Sequence, residues 1–517
     1  MMQKYHKLAL IALTLCLAMC AKIPAGSSNP PSQSGAGLVM LCDYEETTVE
    51  FQSQTLYCAR VYNPHKDAVN PSTFCMVSQT GGGAWENIYT GALPRALDFT
   101  ASAPVFKIKV MAPAKGLRMI FSIKRAKSGE SAECPTLKRE AVTQKGGEWE
   151  EMTFDFSADS PGNNIYRKIV LYFDAGGTSS GESWFFDDIE VPDDDLTALN
   201  LFQCISDKPF IDLDEAVYWR SKSITSGRIV PPDKSATGKW CWYVRGSSEA
   251  HQTIGLLTQD EANFDPAGKW KDYPMNPVLD VGQAEDFDGW RILGVCPVPM
   301  PDKSMYFYYK ARPYNQGGTF GTGFASSADG IHFKKLTDHS ISDRNPSDVV
   351  YHEGKFYYYM GVWLLILDEP DVVDWSRQIR TLNTGDGPAN FDSACIFGNR
   401  VFRLDGVDKW FMVYHGDASH SDFPHRFHIA LSDDLVHWTK VQNTQPLFSR
   451  GPRGRWDQGG IWAPEIIEYN GKLYMYYEGW GQEGHVADRD KEYFRPAASR
   501  TGLAVCDKQE FLSWCGL

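Results

Sequence analysis

Four segments of this chain carry carboxylates in a setting of small residues and apolar runs. They read Phe287-Asp-Gly-Trp-Arg-Ile-Leu-Gly294, Arg344-Asn-Pro-Ser-Asp-Val-Val350, Phe391-Asp-Ser-Ala-Cys-Ile-Phe-Gly398 and Trp456-Asp-Gln-Gly-Gly-Ile-Trp-Ala-Pro-Glu-Ile466. Together they supply Asp288, Asp348, Asp392, Asp457 and Glu465. Carboxylates crowded into one pocket disfavour one another's ionisation, so one is held protonated while another stays charged. That division of labour is what general acid/base hydrolysis of a glycosidic bond requires. Glu465 is the expected proton donor, Asp457 the group that tunes it and Asp288 the base, with Asp348 and Asp392 as substitutes for the base. Arg291 is a candidate to hold a carboxylate or a substrate anion, and Trp290 and Trp462 are candidate sugar platforms. His415 and His485 are alternative acids, because imidazole titrates in the useful range.

Residues so far apart need a repeating scaffold to meet. Five aromatic runs recur: Gly238-Lys-Trp-Cys-Trp-Tyr243, Lys303-Ser-Met-Tyr-Phe-Tyr-Tyr309, Gly354-Lys-Phe-Tyr-Tyr-Tyr359, Asp408-Lys-Trp-Phe-Met-Val-Tyr414 and Gly471-Lys-Leu-Tyr-Met-Tyr-Tyr477. Acidic segments closing on an aromatic follow them, clearest at Ser327–Phe333, Asp371–Trp375, Ser432–Trp438 and Asp507–Trp514. A period of roughly 40 to 75 residues made of short strands and turns describes propeller blades, and five of them converge on one axial pocket. The four acidic segments are the expected innermost strands. The first unit, near Ser223-Ile-Thr-Ser-Gly-Arg-Ile229, lacks the carboxylate and offers Arg228. The last outer strand is expected at Asp507–Trp514.

Ahead of the repeats, residues 38–195 alternate apolar and polar residues, as in Val105–Val110, Arg118–Ile123 and Lys168–Phe173. Helix patterns are absent there. The expected architecture is therefore all-β, a jelly-roll sandwich followed by a five-bladed propeller at 201–517. A chain of 517 residues with 43% hydrophobic and 13% aromatic content can fill both cores. The formal charge of −14 argues against nucleic acid and against an anionic membrane surface. Twelve cysteines include no C-x-x-C pair, so neither a zinc site nor a redox motif is expected, and catalysis requires no cofactor.

The N-terminus reads as an export signal over residues 1–20. Lys4 and Lys7 precede an apolar stretch from Leu8 to Leu17, too short for a permanent anchor. Leu17-Ala-Met-Cys20 resembles a bacterial lipobox, which implies acylation at Cys20 and a cell-envelope protein, lipid-anchored or secreted. Residues 21–37, rich in Ser, Pro and Gly, form a flexible tether.

Two further resemblances carry function. Cys42-Asp-Tyr-Glu45, Gly147–Phe156 and Trp184-Phe-Phe-Asp-Asp-Ile-Glu-Val191 resemble galactose-binding-like carbohydrate-binding modules. In such modules the first and last strands meet at a structural calcium, for which Glu45 and Asp188 are the positions here. Trp462-Ala-Pro-Glu-Ile-Ile-Glu-Tyr-Asn-Gly-Lys-Leu-Tyr-Met-Tyr-Tyr477 resembles the Trp-Ala-Pro-acid segment of glycoside hydrolase family 43, and the repeats resemble the related families 32, 62, 117 and 130. The resemblance implies hydrolysis of a polysaccharide or oligosaccharide, with inversion at the anomeric carbon. This chain departs from it in two places. The Trp-Ala-Pro segment lies in the last repeat and ends in Glu465, and Asn345 stands where an Arg-Asp-Pro motif carries its acid. A surface glycan-binding protein without turnover is the alternative.

Overall fold

The computed structural model describes residues 38–45, 49–91, 93, 97, 104–125, 135–159, 166–192, 199–248, 250–313, 320–388, 391–393, 395–417, 426–481 and 499–517. The expected signal and tether, Cys20 and His485 lie outside the described residues. Among those described, no helix is long and apolar enough to cross a membrane.

Residues 38–192 form two antiparallel sheets. Eight strands pair as a folded-over hairpin: Phe74–Gly81 with Ser180–Pro192, Ile88–Thr90 with Tyr166–Tyr172, Val105–Met111 with Trp149–Asp155, and Arg118–Arg125 with Leu137–Val142. This nested pairing, split over two sheets, is a jelly roll. Period-two alternation drives it. Phe106, Ile108 and Val110 are fully buried, while Lys107 and Lys109 between them point away from the core. They meet Phe121, Ile123, Ile169 and Leu171 of the other sheet in one core. Burying each such side chain contributes about 1.5–3 kcal/mol. Trp149 and Trp184 belong to buried clusters, whereas Trp85 is 59% exposed.

The first strand, Leu38–Cys42, does lie beside the last. Glu45 accepts from the backbone N–H groups of Thr73 and Phe74, and Asp188 pairs with the Lys109 ammonium. Both carboxylates thus engage N–H donors in this structure. No group of three or more His, Cys, Asp or Glu suited to a metal occurs among the described residues.

Five antiparallel blades follow. Their innermost strands are Ser223–Val230, Cys296–Pro299, Asp348–His352, Cys395–Arg403 and Gly460–Tyr469, and each touches the next, with the fifth returning to the first. The aromatic runs are the second strands: Lys239–Ser247, Met305–Arg312, Lys355–Met360, Trp410–Asp417 and Lys472–Trp480. They are central strands, buried on both faces, and so tolerate unbroken aromatic sequence. The acidic motifs are turns between outer strands. Asp329 accepts from the backbone N–H groups of Ile331 and His332 and contacts His332 Nδ1, and Asp434 repeats this with Val436 and His437.

Ring closure differs from expectation. Asp507 caps a helix, Lys508–Cys515, by accepting from the N–H groups of Gln509 and Glu510, so this segment is not a strand. The fourth strand of blade 5 is Gln203–Cys204, from the start of the domain, paired with Arg500–Asp507. Phe511 and Trp514 of the helix bury against Phe202 in the same core. The two ends of the repeat region therefore share one blade.

Candidate functional site at the propeller axis

Strand register brings one residue from each innermost strand to the same level. Arg228 lies opposite Tyr243, Cys296 opposite Tyr308, Asp348 opposite Tyr359, Arg400 opposite Val413 and Glu465 opposite Tyr476. In blades 1, 4 and 5 a break in register immediately precedes this residue, at Thr225/Arg228, Phe397/Arg400 and Trp462/Glu465. Such a bulge twists the strand and re-aims the next side chain. The tetrapeptides Thr-Ser-Gly-Arg228, Phe-Gly-Asn-Arg400 and Trp-Ala-Pro-Glu465 are three versions of one device. Gly398 shows why small residues are needed: its φ is +61°, and a Cβ there would lie 2.2 Å from His415 Cε1.

Four of the five residues form a charge-balanced cluster. Asp348 Oδ2 accepts from Arg228 Nη1 at 2.7 Å and from the Val401 N–H at 2.8 Å. Its Oδ1 accepts from its neighbour's N–H, Val349, at 3.0 Å and lies 3.7 Å from Arg400 Nη1. Glu465 Oε1 accepts from the Ile229 N–H at 3.0 Å and sits 3.8 Å from Arg228 Nε, while Oε2 is 3.8 Å from Arg400 Nε. Arg400 also donates to the carbonyls of Ser347 and Val295. Asp348 is fully buried, and the Arg228 side chain keeps 19% exposure. Burial raises the Glu465 carboxyl above its ordinary range. Arg228, Arg400 and the Ile229 N–H act against that rise, and Asp348 adds to it.

A second level lies two residues further along the second strands. Arg245 Nη2 pairs with Glu478 Oε1 at 3.0 Å, again joining blade 1 to blade 5. Glu478 stands opposite Trp462. Trp462 stacks with the half-exposed Phe397, with centroids 6.3 Å apart and planes 15° from parallel, and its ring centroid is 4.3 Å from that of His415. His415 is completely buried, with no hydrogen-bond partner for either ring nitrogen, and burial pushes it down to about 3. It is a neutral imidazole, unsuited to the role of acid.

The structure groups the expected residues differently from their spacing. Asp288, Asp392 and Asp457 occupy turns ahead of innermost strands, and each is committed within its own blade. Asp288 accepts from Tyr309 Oη at 2.9 Å and pairs with Lys335 at 2.7 Å. Asp392 accepts from Tyr414 Oη at 3.3 Å and pairs with Lys440 at 2.6 Å, and Asp457 accepts from Tyr477 Oη at 3.0 Å and pairs with Arg455 at 2.6 Å. The expected Asp288–Asp457–Glu465 grouping is thus corrected to Asp348–Glu465 with Arg228 and Arg400. Trp290 is 4% exposed, with the guanidinium carbons of Arg291 and Arg312 lying 3.9 and 5.3 Å from its ring centroid, so it presents no open platform. Asn345 Oδ1 accepts from Thr322 Oγ1 at 3.1 Å, and Arg344 turns outward to Gln378 and Trp375. Cys296, Arg400, Arg245 and Glu478 are additions that the acidic pattern does not reveal. The first two were open to discovery by aligning the residues that follow the small ones.

Residues 397–515, most of blades 4 and 5 and the terminal helix, match the model of Glycosyl hydrolases family 43. No curated protein matches the chain. Among solved structures, a glycosyl hydrolase from Bacteroides ovatus aligns at 15% identity and a TM-score of 0.42, covering 60% of this chain and 94% of that one. An N-acetylgalactosamine deacetylase from F. plautii aligns at 14% identity and 0.40, covering 60% and 95%. Levansucrase from Bacillus subtilis aligns at 10% identity and 0.35, covering 56% and 86%. The family 43 match supports glycosidase activity on a carbohydrate substrate.

Proposed function

We propose that the protein is an exported glycoside hydrolase that cleaves a polysaccharide or oligosaccharide in the propeller axis by inverting general acid/base catalysis. The observation that carries this reading is Glu465. It is a buried carboxyl with a raised affinity for its proton, placed on the Trp-Ala-Pro-Glu strand beside an aromatic platform. A carboxyl that holds its proton more tightly than usual is the group a departing sugar oxygen needs. Arg228 and Arg400 lie against it and limit how far its proton affinity rises, while Asp348 adds to that rise. Trp462 with Phe397 offers a flat apolar face for a sugar ring. The jelly roll is assigned the role of holding polysaccharide near the site, which raises local substrate concentration without new contacts at the axis. Lipidation at Cys20 would keep both domains at the bacterial envelope.

The test is release of reducing ends from a panel of plant and algal polysaccharides by wild type and by Glu465→Gln. Product with wild type and a loss of about 100-fold or more in the variant supports the hydrolase. Binding of a glycan by both proteins, with no product from either, overturns it in favour of a glycan receptor. Asn345, held by Thr322 in place of an acid, is the observation that favours that second reading.

A further inference from the structure

We propose that Glu478 is the second catalytic carboxylate, the base that activates water opposite Glu465. This rests on the hydrolase reading above. Glu465 pairs across the sheet with Tyr476, and Glu478 follows Tyr476 by two residues on a regular strand. Directly opposed residues share a sheet face, as do residues i and i+2, so both glutamates project from one face of blade 5. Both meet blade 1 there: Glu465 lies against Arg228 and Ile229, and Glu478 against Arg245. Two residues of rise at ~3.4 Å and one interstrand step of ~4.8 Å place their Cα atoms roughly 8 Å apart. Side chains leaving one sheet face side by side carry a spacing of that order to their carboxyl groups, and about 6.5–9.5 Å between carboxyl groups leaves room for the water of an inverting displacement.

The two glutamates sit in different environments. Glu465 is raised by burial. Glu478 has a direct guanidinium contact from Arg245 at 3.0 Å, which fixes the direction of its carboxyl group. Two further features at this level suit a polyhydroxylated ligand. Arg245 Nε is buried without a partner, and so are both ring nitrogens of His415, which packs on Trp462 opposite Glu478. Leaving buried polar atoms unmet is costly, and sugar hydroxyls would satisfy them.

In the step itself, Glu465 gives its proton to the glycosidic oxygen as the bond from that oxygen to the anomeric carbon breaks. Water forms the new bond to the same carbon from the opposite face, and Glu478 takes the water's proton. The products are the free sugar and the released alcohol, and one proton passes through solvent from Glu478 back to Glu465.

The experiment compares wild type, Glu478→Gln, Glu478→Ala and Arg245→Ala on whichever polysaccharide of the panel wild type degrades, with circular dichroism to confirm folding. A kcat at least about 100-fold lower in Glu478→Gln at similar KM, with sodium formate or azide restoring turnover to Glu478→Ala, is the expected result. Wild-type kcat in Glu478→Gln overturns the assignment and leaves the hydrolase standing. So does a loss that neither anion restores and that Arg245→Ala matches, since Glu478 would then only anchor that arginine. No product from wild type on any glycan overturns the hydrolase reading itself, and this assignment with it. If Glu478→Ala does not fold, Glu478→Asp keeps the charge and shortens the reach. A kcat loss of about tenfold or more with a moved acid limb then supports the base, and an unchanged profile rejects it.

Discussion

The backbone N–H of Ile229 in blade 1 donates to Glu465 Oε1 in blade 5 at 3.0 Å. One side chain therefore both closes the ring and occupies the candidate site, so chemistry at the axis is coupled to the integrity of the propeller. Substitutions here must be read for fold and turnover together.

The first prediction concerns the charge cluster. Asp348 is fully buried and accepts from Arg228 at 2.7 Å, so removing that guanidinium strands a carboxylate out of water. Arg228→Met is expected to lower propeller stability by about 3–5 kcal/mol. A double change to Arg228→Met with Asp348→Leu should recover much of that loss. Chemical denaturation of the three proteins checks both, and an unchanged midpoint in the single variant would show that the pairing is dispensable.

The second concerns pH. Burial raises the Glu465 carboxyl, so between its ordinary value and its folded value the native state binds more protons than the unfolded chain. Stability contributed by this group is present below the ordinary carboxylate range and is lost as pH rises through the folded value. Glu465→Gln should flatten that part of the stability profile. In the same window the kcat/KM of wild type should fall on its alkaline side, because the acid must carry its proton. Thermal melts and initial rates over the same buffers test the two statements together.

The blade frame is legible in the sequence because second strands, buried on both faces, leave unbroken aromatic runs, as at Tyr306–Tyr309 and Phe356–Tyr359. Repetition of Asp288, Asp392 and Asp457 also identifies equivalent positions correctly. What repetition cannot show is where those positions point. They serve a Tyr–Asp–cation unit inside each blade, while the axis takes its residues from just beyond the bulges. A buried ring must balance its charge, so its members alternate as Arg228, Asp348, Arg400 and Glu465 and never form a repeat of one residue type. The closing strand Gln203–Cys204 is hidden for another reason: two residues carry no periodicity, and their partner lies some 300 residues away along the chain.

The third prediction follows from the intra-blade units. Lys335→Met, Lys440→Met and Arg455→Met each leave a buried aspartate with its tyrosine but without its cation. Each should cost about 3 kcal/mol or more, and Tyr309→Phe or Tyr477→Phe about 1–2 kcal/mol. In variants that remain folded, kcat should change far less than in Glu465→Gln. A selective collapse of kcat at full stability in Asp288→Asn would restore that residue to the catalytic set.

His415 gives a prediction in which stability and function move in opposite directions. The imidazole is wholly buried, both of its nitrogens lack partners, and burial holds it at about 3. Above the unfolded value of about 6.5 both states are neutral; as pH falls below it the unfolded chain takes up a proton that the native state refuses, so stability is lost with acid down to about 3. His415→Phe removes that loss and also the unmet nitrogens, so its melting temperature should rise at pH 5 and stay level or rise at pH 7.5. Where a sugar hydroxyl meets the imidazole, the same variant should bind and turn over glycan at least about tenfold less well, the cost of an unmade hydrogen bond in a buried site. Melts at the two pH values, set beside KM and glycan binding, separate the cases. A more stable protein with unaltered affinity would mean that His415 only fills space beneath Trp462.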